Sequence, residues 1–127
     1  MTQSSHLTFS GLRCELLWSD PVTQTGRHPS KRGVAIGFGP DVTERFLQDN
    51  GLELIVRSHE VKEEGFEREP ECRLITVFSA PNYCDQMGNK GAYIVFDDKC
   101  TPDIKTFVAV PHPDVKPMAY ARPMFSF

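Results

Sequence analysis

A chain of 127 residues and 14.3 kDa closes one small hydrophobic core and hardly two. It is 39% hydrophobic and has no run near the ~18 apolar residues of a membrane span, so a transmembrane helix is excluded. Lys and Arg number 14 against 17 Asp and Glu, and the net charge of −3 offers no basic field for DNA or RNA.

Residues 1–10 read as a flexible lead that lacks the apolar segment of a secretory signal. Leu12 to Trp18 ends at Ser19-Asp20-Pro21, where Pro21 pushes Asp20 out of helical space, which predicts a strand running into a loop. Val22 to Lys31 is polar and turn-rich, and Gly33 to Phe38 is apolar and punctuated by glycine. Pro40 sits where a helix starts, Val42 and Phe46 lie four apart with Leu47 beside them, and Asn50-Gly51 supplies a stop. A short amphipathic helix over Asp41–Asn50 is predicted.

Strands are predicted at Leu52–Arg57, Arg73–Phe78, Ala92–Phe96 and Ile104–Val110. Between Glu60 and Glu71 six glutamates face Lys62 and Arg68, a local charge of −4 that reads as a solvated hairpin tip. Pro111, Pro113, Pro117 and Pro123 predict an extended tail over residues 111–127. Cys14, Cys72, Cys84 and Cys100 form no CxxC pair, so a structural zinc site has no support, and without an export signal reduced thiols in a cytosolic compartment are expected.

Three loops follow apolar runs and carry reactive groups: Lys31-Arg32-Gly33, Arg57-Ser58-His59-Glu60 and Ser79 to Asp85. The residues alone leave His59 open as a metal ligand, a general acid or base, or a hydrogen-bonded surface group. Arg32 beside Gly33 has room to grip a phosphate, although a surface arginine is the commoner case. Arg57, inside an apolar run, reads as a charge held by carbonyls or a carboxylate. Tyr83 can donate its hydroxyl to an anion, whereas Cys84 has no adjacent base that marks a nucleophile. No HExxH, GxSxG or Walker-type loop occurs, so proteolysis, serine esterolysis and nucleotide hydrolysis lack support.

The motifs LLWSDP (Leu16–Pro21), KRGV (Lys31–Val34), FGPDV (Phe38–Val42), RSHE (Arg57–Glu60) and FSAPNYCD (Phe78–Asp85) occur in one order. Together they closely resemble the serine/threonine phosphoprotein phosphatases, over about residues 11–120. The resemblance implies an α/β fold: over 11–110, the C-terminal half of a metallophosphoesterase-type β-sandwich flanked by helices, mostly strands with one short helix. It implies hydrolysis of phosphoserine and phosphothreonine by in-line attack of a hydroxide activated by two divalent metal ions, Mn, Fe, Zn or Mg.

By the same resemblance His59 is a metal ligand, the one such ligand present, and sits beside the substrate. Arg32 and Tyr83 bind the substrate phosphate at the catalytic centre, and Cys84 and Trp18 lie where inhibitory toxins dock. Implied partners are phosphoprotein substrates, and chaperones through a tetratricopeptide domain that this sequence does not contain. The implied location is the cytoplasm, with the nucleus as a second compartment. The family motifs GDxHG, GDxVDRG and GNHE and a later HGG do not occur here. The isolated chain is therefore expected to be inactive, and the alternative reading is a non-catalytic binding or scaffold module.

Overall fold

The computed structural model describes residues 11–69 and 73–115; the expected lead over 1–10 and the tail beyond 115 lie outside the described residues. The chain divides into two compact units, one of residues up to 55 with 69–74, the other of 56–68 with 75 onward.

The first unit opens with a helix, α1 (Leu12–Trp18), where a strand was expected. The cause is local: LRCELLW is rich in strong helix formers and contains no β-branched residue. Pro21 takes effect only afterwards. Ser19 leaves the helix at φ −75° and ψ 140° while its N–H still donates to the Glu15 carbonyl at 3.1 Å. Asp20–Pro21 then forms strand β1, which pairs in parallel with β3 (Ile36–Phe38), and β3 pairs antiparallel with β2 (Arg27–Pro29). The strand order is β1-β3-β2, with Asp20 opposite Gly37.

Helix α2 (Pro40–Asn50) matches expectation in place and in signals. Pro40 occupies its first turn, and Gly39 precedes it where a Cβ would lie 2.7 Å from the Thr25 Cα, so only glycine admits the 24–25 turn beside the helix start. At the other end Gly51 adopts φ 62°, and the pair Gly51 N–H to Gln48 O and Leu52 N–H to Leu47 O closes a Schellman motif. The buried face differs by one residue from the expected one. Thr43 and Leu47 are buried, whereas Phe46 is 44% exposed. Burying Leu47 contributes about 1.5–3 kcal/mol.

Strands β4 (Ile55–Arg57), β5 (Phe66–Arg68) and β6 (Leu74–Val77) form a sheet in the order β4-β6-β5. β5 and β6 are antiparallel, with Phe66 opposite Val77 and Arg68 opposite Ile75. Leu74, Ile75 and Thr76 are all buried. The acidic stretch is thus more than a solvated tip, because it contains a strand and Glu60, Glu64 and Glu67 are paired. Arg57 Nη1 meets Glu60 Oε2 at 2.7 Å, Lys62 meets Glu60 at 3.8 Å and also pairs with Glu67, and Lys90 meets Glu64 at 2.7 Å.

In the second unit β7 (Gly91–Phe96) and β8 (Pro102–Phe107) form an antiparallel hairpin, in register from Gly91 opposite Phe107 to Phe96 opposite Pro102. Gly65, at φ 80°, lies so close that a Cβ would be 2.6 Å from the Gly91 carbonyl carbon. β8 ends at Phe107, short of the predicted Val110, and residues 111–115 form neither helix nor strand.

Candidate active site

In the first unit, the turn that carries Arg32 is set by Ser30. The Ser30 hydroxyl accepts from Arg32 N–H at 3.1 Å, and its carbonyl accepts from Gly33 N–H at 3.2 Å, with Gly33 at φ 72°. Arg32 then reaches back to β1. Its Nε donates to Asp20 Oδ2 at 2.6 Å and its Nη2 to Asp20 Oδ1 at 3.1 Å, a two-pronged fork on one carboxylate. The Asp20 side chain is 6% exposed and that of Arg32 27%. A carboxylate so buried demands a cationic partner. Trp18 stands half-buried at the end of α1, two residues before Asp20.

In the second unit, His59 follows β4 and is exposed, with its backbone at φ 86°. Just before it, Arg57 is held by Glu60 and lies 3.5 Å from the Thr76 hydroxyl, which agrees with its structural reading. The loop after β6 carries Tyr83 and Cys84 in a one-turn 3-10 segment (Tyr83–Asp85). Asn82, Cys84 and Asp85 all have positive φ, at 46°, 56° and 57°, a conformation that costs L-residues energy.

The strained loop after β6 is held by Asn89, which is 4% exposed. Its Oδ1 accepts from Tyr83 N–H at 2.8 Å, and its Nδ2 donates to the carbonyls of Ala80 at 2.9 Å and Lys90 at 2.8 Å. Its own carbonyl accepts from Asn82 N–H at 2.8 Å. Tyr83 itself is 45% exposed, its ring set edge-on to Phe78 with centroids 5.1 Å apart.

The site residues inferred from sequence therefore fall into two sets: Arg32 and Trp18 in one unit, His59, Tyr83 and Cys84 in the other. Sequence reasoning missed Asp20 and Asn89, the two buried polar residues that position these loops. The signal for Asp20 was present, since an aspartate at the end of an apolar run needs a partner, but the partner lies 12 residues on. Among the described residues no three His, Cys, Asp or Glu side chains group to hold a metal ion. These residues by themselves do not make a metal centre.

Residues 2–63 match the family model described as calcineurin-like phosphoesterase. The chain is 71% identical over 113 residues to serine/threonine-protein phosphatase 5 of Solanum lycopersicum, covering 88% of this chain and 20% of that protein. Against serine/threonine-protein phosphatase 5 of Homo sapiens it is 60% identical over 114 residues, 89% of this chain and 23% of that protein. A solved structure of a protein serine/threonine phosphatase from Saccharomyces cerevisiae, with similarity to human phosphatase PP5, superposes with a TM-score of 0.76 at 48% identity. That match covers 87% of this chain and 38% of the yeast chain. The chain thus spans about a fifth to a quarter of the length of these curated relatives. Over the part it spans, a portion of the catalytic domain, the chain is similar in sequence and fold to the serine/threonine phosphoprotein phosphatases.

Proposed function

We propose that this segment supplies the phosphate grip and the substrate-side loop of a metal-dependent protein phosphatase acting on phosphoserine and phosphothreonine in phosphoproteins. The observation that carries the reading is the placement of the His59 loop and the Tyr83–Cys84 loop directly after neighbouring strands, β4 and β6, of one sheet. Two loops that follow adjacent strands are a common way to build a site on a rigid frame.

In this reading Arg32 binds phosphoryl oxygens through charge-assisted N–H donors, of which a guanidinium has five in a fixed fork. On the loop after β6, Tyr83 has a hydroxyl that can donate to an anionic substrate, with Cys84 beside it; Trp18 stays with Arg32 in the first unit. His59 joins a centre of divalent cations, with manganese, iron, zinc and magnesium the candidates, whose remaining ligands come from outside the described residues. Such cations supply charge neutralisation and an activated water when bound.

Among the described residues no three-ligand group occurs, so the isolated 127-residue chain should show no turnover of p-nitrophenyl phosphate. In a complete phosphatase carrying this segment, His59→Asn should lower bound metal and activity together while the fold is kept. Elemental analysis after gel filtration decides it, and a full metal complement in the variant overturns the ligand assignment.

A further inference from the structure

We propose that Asp20 is the positioning residue of the phosphate grip: its buried carboxylate fixes the plane of the Arg32 guanidinium and so sets which edge of the fork meets substrate. The inference rests on the reading of Arg32 as the phosphate-binding arginine. Four observations support it. Asp20 is buried, with a side-chain exposure of 6%, while Arg32 at 27% remains within reach of solvent. The contact is two-pronged, through Nε at 2.6 Å and Nη2 at 3.1 Å, and two parallel bonds remove rotation about the last side-chain torsions. The carboxylate stands on β1, held by the parallel pairing of Asp20 with Gly37, so the anchor belongs to the sheet. The arginine stands on a turn shaped by Ser30.

A long side chain on a turn loses rotamer freedom when it grips a ligand. Asp20 imposes that loss before substrate arrives, which is the benefit of a pre-organised donor. It engages the guanidinium through Nε and Nη2. Asp20 touches neither substrate nor reacting atoms.

The test uses a complete phosphatase carrying this segment, with p-nitrophenyl phosphate as substrate and inorganic phosphate as competitive inhibitor. The inhibition constant for phosphate is the decisive readout, because a merely structural defect lowers the active fraction without changing how active molecules bind phosphate. Asp20→Ala should weaken phosphate binding and kcat/KM about tenfold or more, the scale of one lost charge-assisted contact. The double variant Asp20→Ala/Arg32→Ala should be no weaker than Arg32→Ala alone, since Asp20 acts only through Arg32. Asp20→Asn, which keeps the shape and one acceptor, should fold like the parent and fall between parent and Asp20→Ala.

Parent-level phosphate inhibition in Asp20→Asn and Asp20→Ala, with Arg32→Ala impaired, overturns the positioning role and leaves the phosphate grip standing. Additive losses in the double variant also overturn it. Parent-level inhibition in Arg32→Ala removes the grip itself, and the role of Asp20 with it.

Discussion

Arg32 and Tyr83 are both presented by loops, yet the two loops are fixed at different levels of structure. At the 30–33 turn a buried carboxylate holds a side chain, and the terminal guanidinium is what becomes immobile. At the 80–90 loop a buried amide holds the backbone through three hydrogen bonds, and the side chains of Tyr83 and Cys84 stay exposed. A charge that must meet phosphate oxygens at set angles profits from the first arrangement. A surface that must accommodate varied peptide chains profits from the second, since strain is confined to the main chain and side chains keep their rotamers. The buried polar residue is the anchor in both cases, and the residue proposed to meet substrate is the exposed one.

The largest effect should come from removing the amide. Asn89→Ala leaves Tyr83 N–H and the Ala80 and Lys90 carbonyls without their partner. It also releases the positive-φ residues Asn82, Cys84 and Asp85. A buried polar group that loses its partner costs about 1–3 kcal/mol, so with partial relaxation the loss should reach about 3 kcal/mol. Urea unfolding measures the total, and hydrogen exchange at the Asn82 and Tyr83 amides localises it. A loss under about 1 kcal/mol would mean that the strained turn is held by something other than Asn89.

Breaking the other anchor should cost less. Arg32→Ala strands the buried Asp20 carboxylate, and removing one partner of a fully buried pair costs about 3–5 kcal/mol. Arg32 is 27% exposed, so water enters as it leaves and about 2 kcal/mol is expected. The loss should shrink when Asp20→Asn is added, because no charge is then left behind. Equal losses in both backgrounds, read from urea midpoints, would show that the ion pair is not what Arg32 contributes to the fold. With the proposed role, Arg32→Ala should change both catalysis and stability, and activity should be compared at temperatures where both proteins are folded.

What was legible in the sequence follows the range of the forces involved. Helix α2 was legible because its stop and start are local chemistry: Pro40 and Gly51 act through their own backbone preferences. Its buried face was misplaced by one residue because Val42 and Thr43 are equally compatible with a four-residue spacing, and only tertiary contact selects Thr43 with Leu47. Helix α1 was misread because the effect of Pro21 was extended too far back over a run whose own propensity is helical. Strand β5 was hidden by charge, since Glu67 and Arg68 sit on a strand whose partner, β6, supplies the burial. The proposed site residues Arg32, His59, Tyr83, Cys84 and Trp18 were named through motif resemblance, which points to side chains carried by recognisable loops. Asp20 and Asn89 are recognisable only once partners 12 and 6 residues away are brought together.

The smallest effect sharpens the comparison from a third loop. Asp97 closes the β7–β8 hairpin as Asn89 closes its own loop: its Oδ1 accepts from Thr101 N–H at 2.7 Å and from Lys99 N–H at 2.9 Å. Here the side-chain oxygen is in water. The hydrogen bond from the Thr101 backbone holds the carboxyl below its ordinary value; desolvation, the next influence, opposes it, and bonds from the Lys99 backbone and the Thr101 side chain add to the lowering. A carboxylate whose folded pKa is depressed stabilises the fold fully above its unfolded value of ~3.9 and loses that contribution as pH falls through the folded value. The hairpin turn should therefore keep its amide protection down to about pH 4 and lose it progressively below. Asp97→Asn, which retains the acceptor without the titration, should flatten that dependence while changing little at neutral pH. The Thr101 and Lys99 amide shifts followed by NMR across this range supply the measurement. A titration midpoint at or above ~3.9 would show that these bonds do not favour the ionised carboxylate. With burial removed, the same side-chain-to-backbone chemistry would then contribute nothing measurable, leaving enclosure as the whole difference between Asp97 and Asn89.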